Sequence, residues 1–284
     1  MPRPAIDLDA LAEGVRAGDR ALLARAITLV ESRQPVDQAP AQELLVRLLP
    51  ATGSAERLGV TGVPGAGKSV LIERLGEHVI DQGLRVAVLV IDPSSRRTGG
   101  SILGDKTRMQ RLAVRNEAFI RPSPSSGVLG GVARRTREAL LVCEAAGYDV
   151  VIVESVGVGQ SEAQLADLVD CLCLVLAPGT GDELQGIKRG IVELADVVAV
   201  NKADGSRLGD ARRAASDYRQ ALRLLAPSLA GWQTPVVTCS ALEGTGIAEL
   251  WEAIRSHRGL LAADGALAVR RREQELRWLE AAVD

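Results

Sequence analysis

Hydrophobic positions along the chain follow two different rules. Residues 1–57 carry a helical rhythm. In GDRALLARAITLVES, Leu22, Leu23, Ala26, Ile27 and Val30 fall on one stripe of a helix, with Asp19 placed to cap it. A second helix is predicted over 41–49, ended by Pro50, and ATGSAE follows as a short linker. From residue 57 the texture changes. RLGVTG, LRVAVLVID, EAFIR, YDVVIVES, CLCLVLA, DVVAVNK and TPVVTCS are short and rich in Val, Ile and Leu. Several are apolar at every position rather than at alternate ones, the mark of strands buried on both faces. Helical segments sit between most of them, at 69–82, 131–146, 182–194, 210–225 and 247–255, and 266–284 reads as a charged helix with a thin apolar face. Strands alternating with helices predict an α/β fold with a doubly wound, mostly parallel sheet and helical extensions at both ends. The predicted division is 1–56, 57–257 and 258–284.

The strongest chemical signal is GVPGAGKS: Gly62, Val63, Pro64, Gly65, Ala66, Gly67, Lys68 and Ser69, with Val70 opening the helix behind them. It fits G-x-x-x-x-G-K-[ST] between a predicted strand and a predicted helix, which makes the fold a P-loop NTPase. Glycines let the backbone wrap phosphate oxygens, and the helix start adds its positive end. Lys68 supplies a charge for the β- and γ-phosphates, and Ser69 a hydroxyl for Mg²⁺. The residue three beyond Gly67 is Val70, so the dinucleotide fingerprint G-x-G-x-x-G fails. Such a site needs carboxylate oxygens for the metal. Asp92 and Glu154 end two apolar runs, and Asp105 lies in the polar stretch DPSSRRTGGSILGDKTRM. Glu154-x-x-Gly157 has the form of a Walker B element entering a switch loop, with Glu for the usual Asp and a glycine amide for the γ-phosphate.

Base choice is written farther on. Asn201-Lys202-Ala203-Asp204 is an N-K-x-D sequence after a strand. One carboxylate accepts both the N1–H and N2–H₂ donors of guanine, whereas adenine would leave a buried charge unpaired. Lys202 can lay its aliphatic stem along the base, and Ser240-Ala241-Leu242 offers a backbone N–H for guanine O6. The ordered set argues for GTP, and GDP after hydrolysis, over ATP.

Composition narrows the classes. Lys plus Arg (34) nearly balances Asp plus Glu (36), so no basic surface points to nucleic acid. Aromatics at 2% cannot build a stacking platform. No apolar run approaches the ~20 residues of a membrane helix. The N-terminal stretch lacks a signal-peptide core, and four cysteines make no disulfide framework, so a cytoplasmic protein is expected. Cys171 and Cys173 share one strand face and read as core packing, His78 and His257 read as isolated, and the run Arg270–Arg272 reads as a solvated helix face.

GVTGVPGAGKS, VIDPSSRRTGGSILGDKTRM, VIVESVGVGQSE, LAPGTGDELQGIKRG and VNKAD together resemble the MeaB/ArgK family, the GTPases associated with methylmalonyl-CoA mutase and also known as LAO/AO transport ATPases. The resemblance covers roughly 57–250. It implies a G-protein chaperone of an adenosylcobalamin-dependent acyl-CoA mutase, gating cofactor loading and protecting the mutase. It also implies switch loops at 92–108 and 154–162, and a third mobile loop at 178–188 whose Lys188 is a candidate catalytic residue. A homodimer is implied too: further helices that help to dimerise usually follow the tail motif RRREQELRWLE in the family, so either the arm is shorter here or the sequence is trimmed. Hydrolysis is expected to be slow until the partner is engaged. The water-orienting group stays open between Glu154, Gln160 and Gln185. Two other readings remain: a nickel-type metallocentre assembly GTPase, and an ATP-using kinase or transport ATPase.

Overall fold

The structure, a computed structural model, describes residues 6–92, 109–124, 129–155, 161–179, 189–225, 229–263 and 265–283. Three helices come first: α1 (Leu8–Arg16), α2 (Arg20–Val30) and α3 (Pro35–Leu48). Asp19 caps α2 as its position predicts, accepting from the Ala21 and Leu22 N–H groups at 2.8 and 2.9 Å. The helix predicted over 41–49 starts earlier, because Pro35 seeds the first turn with its fixed φ. Pro40 is carried inside α3 at the loss of one hydrogen bond. Burial of Ala41, Leu44, Leu45 and Leu48 offsets that cost.

The remaining elements alternate: β1 (Glu56–Gly62), α4 (Lys68–Asp81), β2 (Val86–Asp92), α5 (Gln110–Ala113), β3 (Ala118–Pro124), α6 (Leu129–Ala145), β4 (Val150–Ser155), α7 (Ser161–Ala166), β5 (Cys171–Leu176), α8 (Arg189–Leu194), β6 (Val197–Val200), α9 (Leu208–Leu222), β7 (Val236–Thr238), α10 (Ile247–Ala263) and α11 (Ala266–Val283). The short helices α5 and α7 were not legible as helices. The strands form one parallel sheet in the order β3-β2-β4-β1-β5-β6-β7. Consecutive side chains of β2 enter opposite cores. Val86, Val88 and Val90 pack with α4 and α10, while Ala87, Leu89 and Ile91 pack with α6 and the N-terminal helices. Both faces are covered, which is why the strands are apolar throughout. Strand β1 sits centrally between β4 and β5. The chain leaves β1 for β2 on one side and later crosses from β4 to β5 on the other, so the winding reverses at β1 and a crevice opens at its carboxyl end.

Helix α11 corrects one expectation. Arg270 and Arg271 are not a solvated face. Arg271 clasps the buried Asp170 through two bonds of 2.8 and 2.6 Å and also reaches the Gly53 and Ala55 carbonyls. Arg270 meets the buried Asp196 at 3.2 Å. The Gln274 amide donates to Ala166 and Val169 carbonyls at the end of α7. Arg272 is exposed. His257 is likewise not isolated: its Nε2 lies 3.3 Å from Asp196, and Cys171 completes a buried trio at the amino edge of the sheet. Cys171 and Cys173 themselves are core residues, as their spacing predicts. No described helix is long and apolar enough to cross a membrane.

Candidate nucleotide site

At the carboxyl end of β1 the backbone turns through residues 63–67 into α4. Gly62 has φ +144°, and a Cβ there would lie 2.0 Å from the Val175 carbonyl oxygen of the neighbouring strand, so only glycine fits. Gly67 takes a left-handed conformation (φ +90°) at the N-cap of α4, and no side chain caps that helix. The first-turn amides of α4 are therefore left for an outside acceptor. An uncapped helix start beneath a glycine turn can take an anion.

Lys68 is buried, and its Nζ donates to the Gly62 and Val63 carbonyls at 2.7 and 3.2 Å. Burial pulls its pKa below the ordinary lysine value, while the Glu154 and Glu162 carboxylates pull it back up. Ser69, the next residue, donates its hydroxyl to Glu154 Oε1 at 2.8 Å. Glu154 reaches that point because β4 runs parallel to β1, pairing Glu154 with Val60 and, on its other side, with Val90 of β2. Below it, Ser155 Oγ donates to Thr61 Oγ1 at 2.8 Å, which ties the two strand ends together. A serine hydroxyl and a carboxylate, both hard oxygen donors, thus stand side by side where a divalent cation would be wanted, and this pair fits Mg²⁺. Asp92 ends β2 on the adjacent strand. Glu162 is a buried acid near Lys68 that the sequence showed only as one end of a predicted loop, without a strand end to mark it. Asp105, Gly157, Gln160, Gln185 and Lys188 lie outside the described residues, as does the Asp92 side chain.

The N-K-x-D segment folds back over the same turn. Asn201 is buried, and its Nδ2 donates to the Ala66 carbonyl at 3.0 Å and the Gly67 carbonyl at 3.4 Å. Its Oδ1 accepts from the Ala241 N–H at 3.0 Å. One amide side chain therefore staples the glycine turn to the segment after β7. Lys202 is, among the described residues, the single non-glycine with positive φ (61°), and its Nζ donates to the Gly65 carbonyl at 2.6 Å. A lysine held in that backbone region carries strain that the surrounding bonds must hold. Asp204 Oδ2 accepts from Ser240 Oγ at 2.6 Å, and the same oxygen of Ser240 accepts from the Glu243 N–H at 3.1 Å. The carboxylate that would read a base is thus fixed in rotation. Ser240, Ala241 and Leu242 are brought beside it. The Ser240 and Ala241 amides are engaged, with Thr245 O and Asn201 Oδ1. Val63 packs against the core, while Pro64, Gly65 and Val70 face outward around the crevice. Arg74 of α4 was missed by sequence reasoning. Its guanidinium donates to the Ala241 and Leu242 carbonyls, both at 3.0 Å.

A glycine turn from a central parallel strand into an uncapped helix, with lysine, serine and an acid from the next strand converging on it, defines a P-loop nucleoside triphosphatase. The family described as "Methylmalonyl Co-A mutase-associated GTPase MeaB" matches residues 23–284. GTPase ArgK of Escherichia coli is 53% identical over 272 residues, covering 95% of this chain and 82% of that one. The methylmalonic aciduria type A homolog, mitochondrial, of Mus musculus is 47% identical over 282 residues, covering 96% and 68%. A solved structure described as an LAO/AO transport system kinase superposes with a TM-score of 0.85 at 43% identity, over 99% of this chain and 85% of that one. The chain belongs to the MeaB family of GTPases: it binds guanine nucleotide and hydrolyses GTP.

Proposed function

We propose that this protein is a Mg²⁺-dependent switch GTPase that acts as chaperone to an adenosylcobalamin-dependent acyl-CoA mutase of the methylmalonyl-CoA type, gating cofactor loading and protecting or reactivating the enzyme. The mutase partner is supported by the family's description and by the mouse relative, which is described by methylmalonic aciduria. The observation that carries the nucleotide part is the locked triad of Asn201, Asp204 and Ser240 laid against the glycine turn.

In this reading the triphosphate lies along residues 62–70. Lys68 exchanges its two carbonyl partners for phosphate oxygens, which gives a buried ammonium an anionic counterpart. Ser69 and Glu154, with Asp92 and Asp105, hold Mg²⁺, which supplies charge neutralisation on the β- and γ-phosphates. Lys68 and the α4 amides stabilise the charge that develops as water attacks in line, and Glu154 or a neighbouring loop residue orients that water. Gly157 offers its amide and Lys188 a second cation on the γ side. Asp204 accepts the two guanine donors, and Lys202 covers the ring. Turnover in the isolated chain is slow, well below the ~10 s⁻¹ typical of enzymes, and engagement of the mutase raises it.

Asp204→Asn tests the base assignment. GTP affinity falls, and xanthosine triphosphate, whose 2-oxo group matches an amide donor, gains. Equal binding of GTP and ATP by the wild type, or unchanged GTP affinity in the variant, overturns it. Native mass measurement with a cobalamin-dependent acyl-CoA mutase, in GDP and in a non-hydrolysable GTP analogue, tests the partner. A complex that depends on the nucleotide supports the chaperone role, and no complex in either state removes it.

A further inference from the structure

The geometry points to Arg74 as a positioning residue for guanine specificity, an inference that rests on the nucleotide site proposed above. Arg74 lies on α4, one turn beyond Val70 and outside the glycine motif. Its Nε and Nη2 donate to two consecutive carbonyls, Ala241 and Leu242, each at 3.0 Å, while Nη1 pairs with Glu77 at 3.2 Å. A planar guanidinium gripping two successive peptide groups fixes their orientation more firmly than any single donor.

That orientation has a consequence across the peptide plane. In a trans peptide the N–H points opposite to the preceding C=O, and the described residues contain no cis bond. With the Leu242 carbonyl turned toward Arg74, the Glu243 N–H turns away from it, and it lands on Ser240 Oγ at 3.1 Å. Ser240 Oγ in turn holds Asp204 at 2.6 Å. The side of the segment facing away from Arg74 is therefore the side of the base-reading carboxylate. By the same geometry, with the Ala241 carbonyl held by Arg74, the Leu242 N–H points to that side as well. Of the three amides at 240–242, those of Ser240 and Ala241 are engaged inside the protein, with Thr245 O and Asn201 Oδ1. The Leu242 N–H is then the donor for guanine O6, and Arg74 aims it. The phosphate-binding helix and the base-reading segment are joined by this clamp as well as by Asn201.

The test separates O6 recognition from general damage to the loop. GDP and 6-thio-GDP share the N1–H and 2-amino donors that face Asp204 and differ only in the acceptor at position 6, where sulfur accepts weakly. Affinities of wild type, Arg74→Gln and Arg74→Lys are measured for GDP, 6-thio-GDP and ADP by calorimetry. Arg74 is partly exposed on a helix surface, so the variants retain the fold, and circular dichroism melting checks this. Wild type is expected to prefer GDP over 6-thio-GDP. Arg74→Gln weakens GDP about threefold to tenfold, the worth of one hydrogen bond, and leaves 6-thio-GDP nearly unchanged. Arg74→Lys keeps one of the two carbonyl bonds and recovers part of the GDP loss. Equal weakening of both nucleotides, no weakening of either, or a wild type that does not distinguish them overturns the role of Arg74. ADP binding as tightly as GDP to the wild type would instead strike the guanine reading beneath it.

Discussion

Replacing Asn201 by alanine removes the staple between the glycine turn and the base-reading segment. The side chain is 1% exposed, so water does not stand ready to replace it. Truncation strands two backbone groups, the Ala66 carbonyl and the Ala241 N–H, each bonded at 3.0 Å in the native chain. Gly67 O is less affected, because the Leu71 N–H also reaches it at 2.9 Å. Two buried polar groups left without partners cost roughly 1–3 kcal/mol each, and partial relaxation brings the sum to about 3 kcal/mol. In a chain of this size that corresponds to a fall in Tm of about 5 °C. Circular dichroism melting of the nucleotide-free protein measures it directly. Asn201→Asp is expected to be worse than alanine at neutral pH, since a carboxylate oxygen would face the Ala66 carbonyl where an N–H now stands. Both variants should also lose GDP affinity, because the two halves of the site would no longer share a register. An Asn201→Ala protein that melts within about 1 °C of wild type and binds GDP equally well would refute the reasoning.

The C-terminal clasp gives two further expectations. Arg271→Ala leaves the buried Asp170, among the described residues, with the bond from the Arg57 N–H alone, and should cost about 3 kcal/mol or more in urea unfolding, whereas Arg272→Ala, at an exposed neighbour, should stay within about 0.5 kcal/mol. Asp196 sets an acid limit. Burial raises its pKa, but the neighbouring His257 imidazole, the Arg270 guanidinium and the Leu172 N–H outweigh that and hold it below the ordinary aspartate value. A carboxyl depressed in the folded state contributes stability in full above its unfolded value, and that contribution is withdrawn as pH falls through the folded one. Arg270→Gln should therefore move the acid-unfolding midpoint upward by about half a pH unit, read by circular dichroism, and an unmoved midpoint would refute the assignment.

Much of this architecture is written in local pattern. The all-apolar strands announced a sheet covered on both faces, and the motif after β1 carried its own context of strand and helix. The N-K-x-D segment was legible as a reader of bases. What it did not reveal is that Asn201 turns inward to hold the glycine turn, since the partner carbonyl of Ala66 lies 135 positions away. Arg74 was invisible for the same reason: nothing around it on α4 announces two carbonyls from residues 241 and 242. Arg270 and Arg271 were misread because a run of cations looks solvated until the fold sets aspartates beneath it. The start of α3 was missed because Pro40 reads as a breaker, while Pro35 makes a good first residue.

The grip of α11 on residues 53–55, 166–170 and 196 bears on how the protein is made. A nascent chain that has extruded every strand through β7 still holds Asp170 and Asp196 without their arginine counter-charges. Chains fold vectorially as they leave the ribosome. Closure of this domain therefore waits for residues 270–277 to clear the exit tunnel, and until then all seven strands are present but both buried carboxylates lack their arginines.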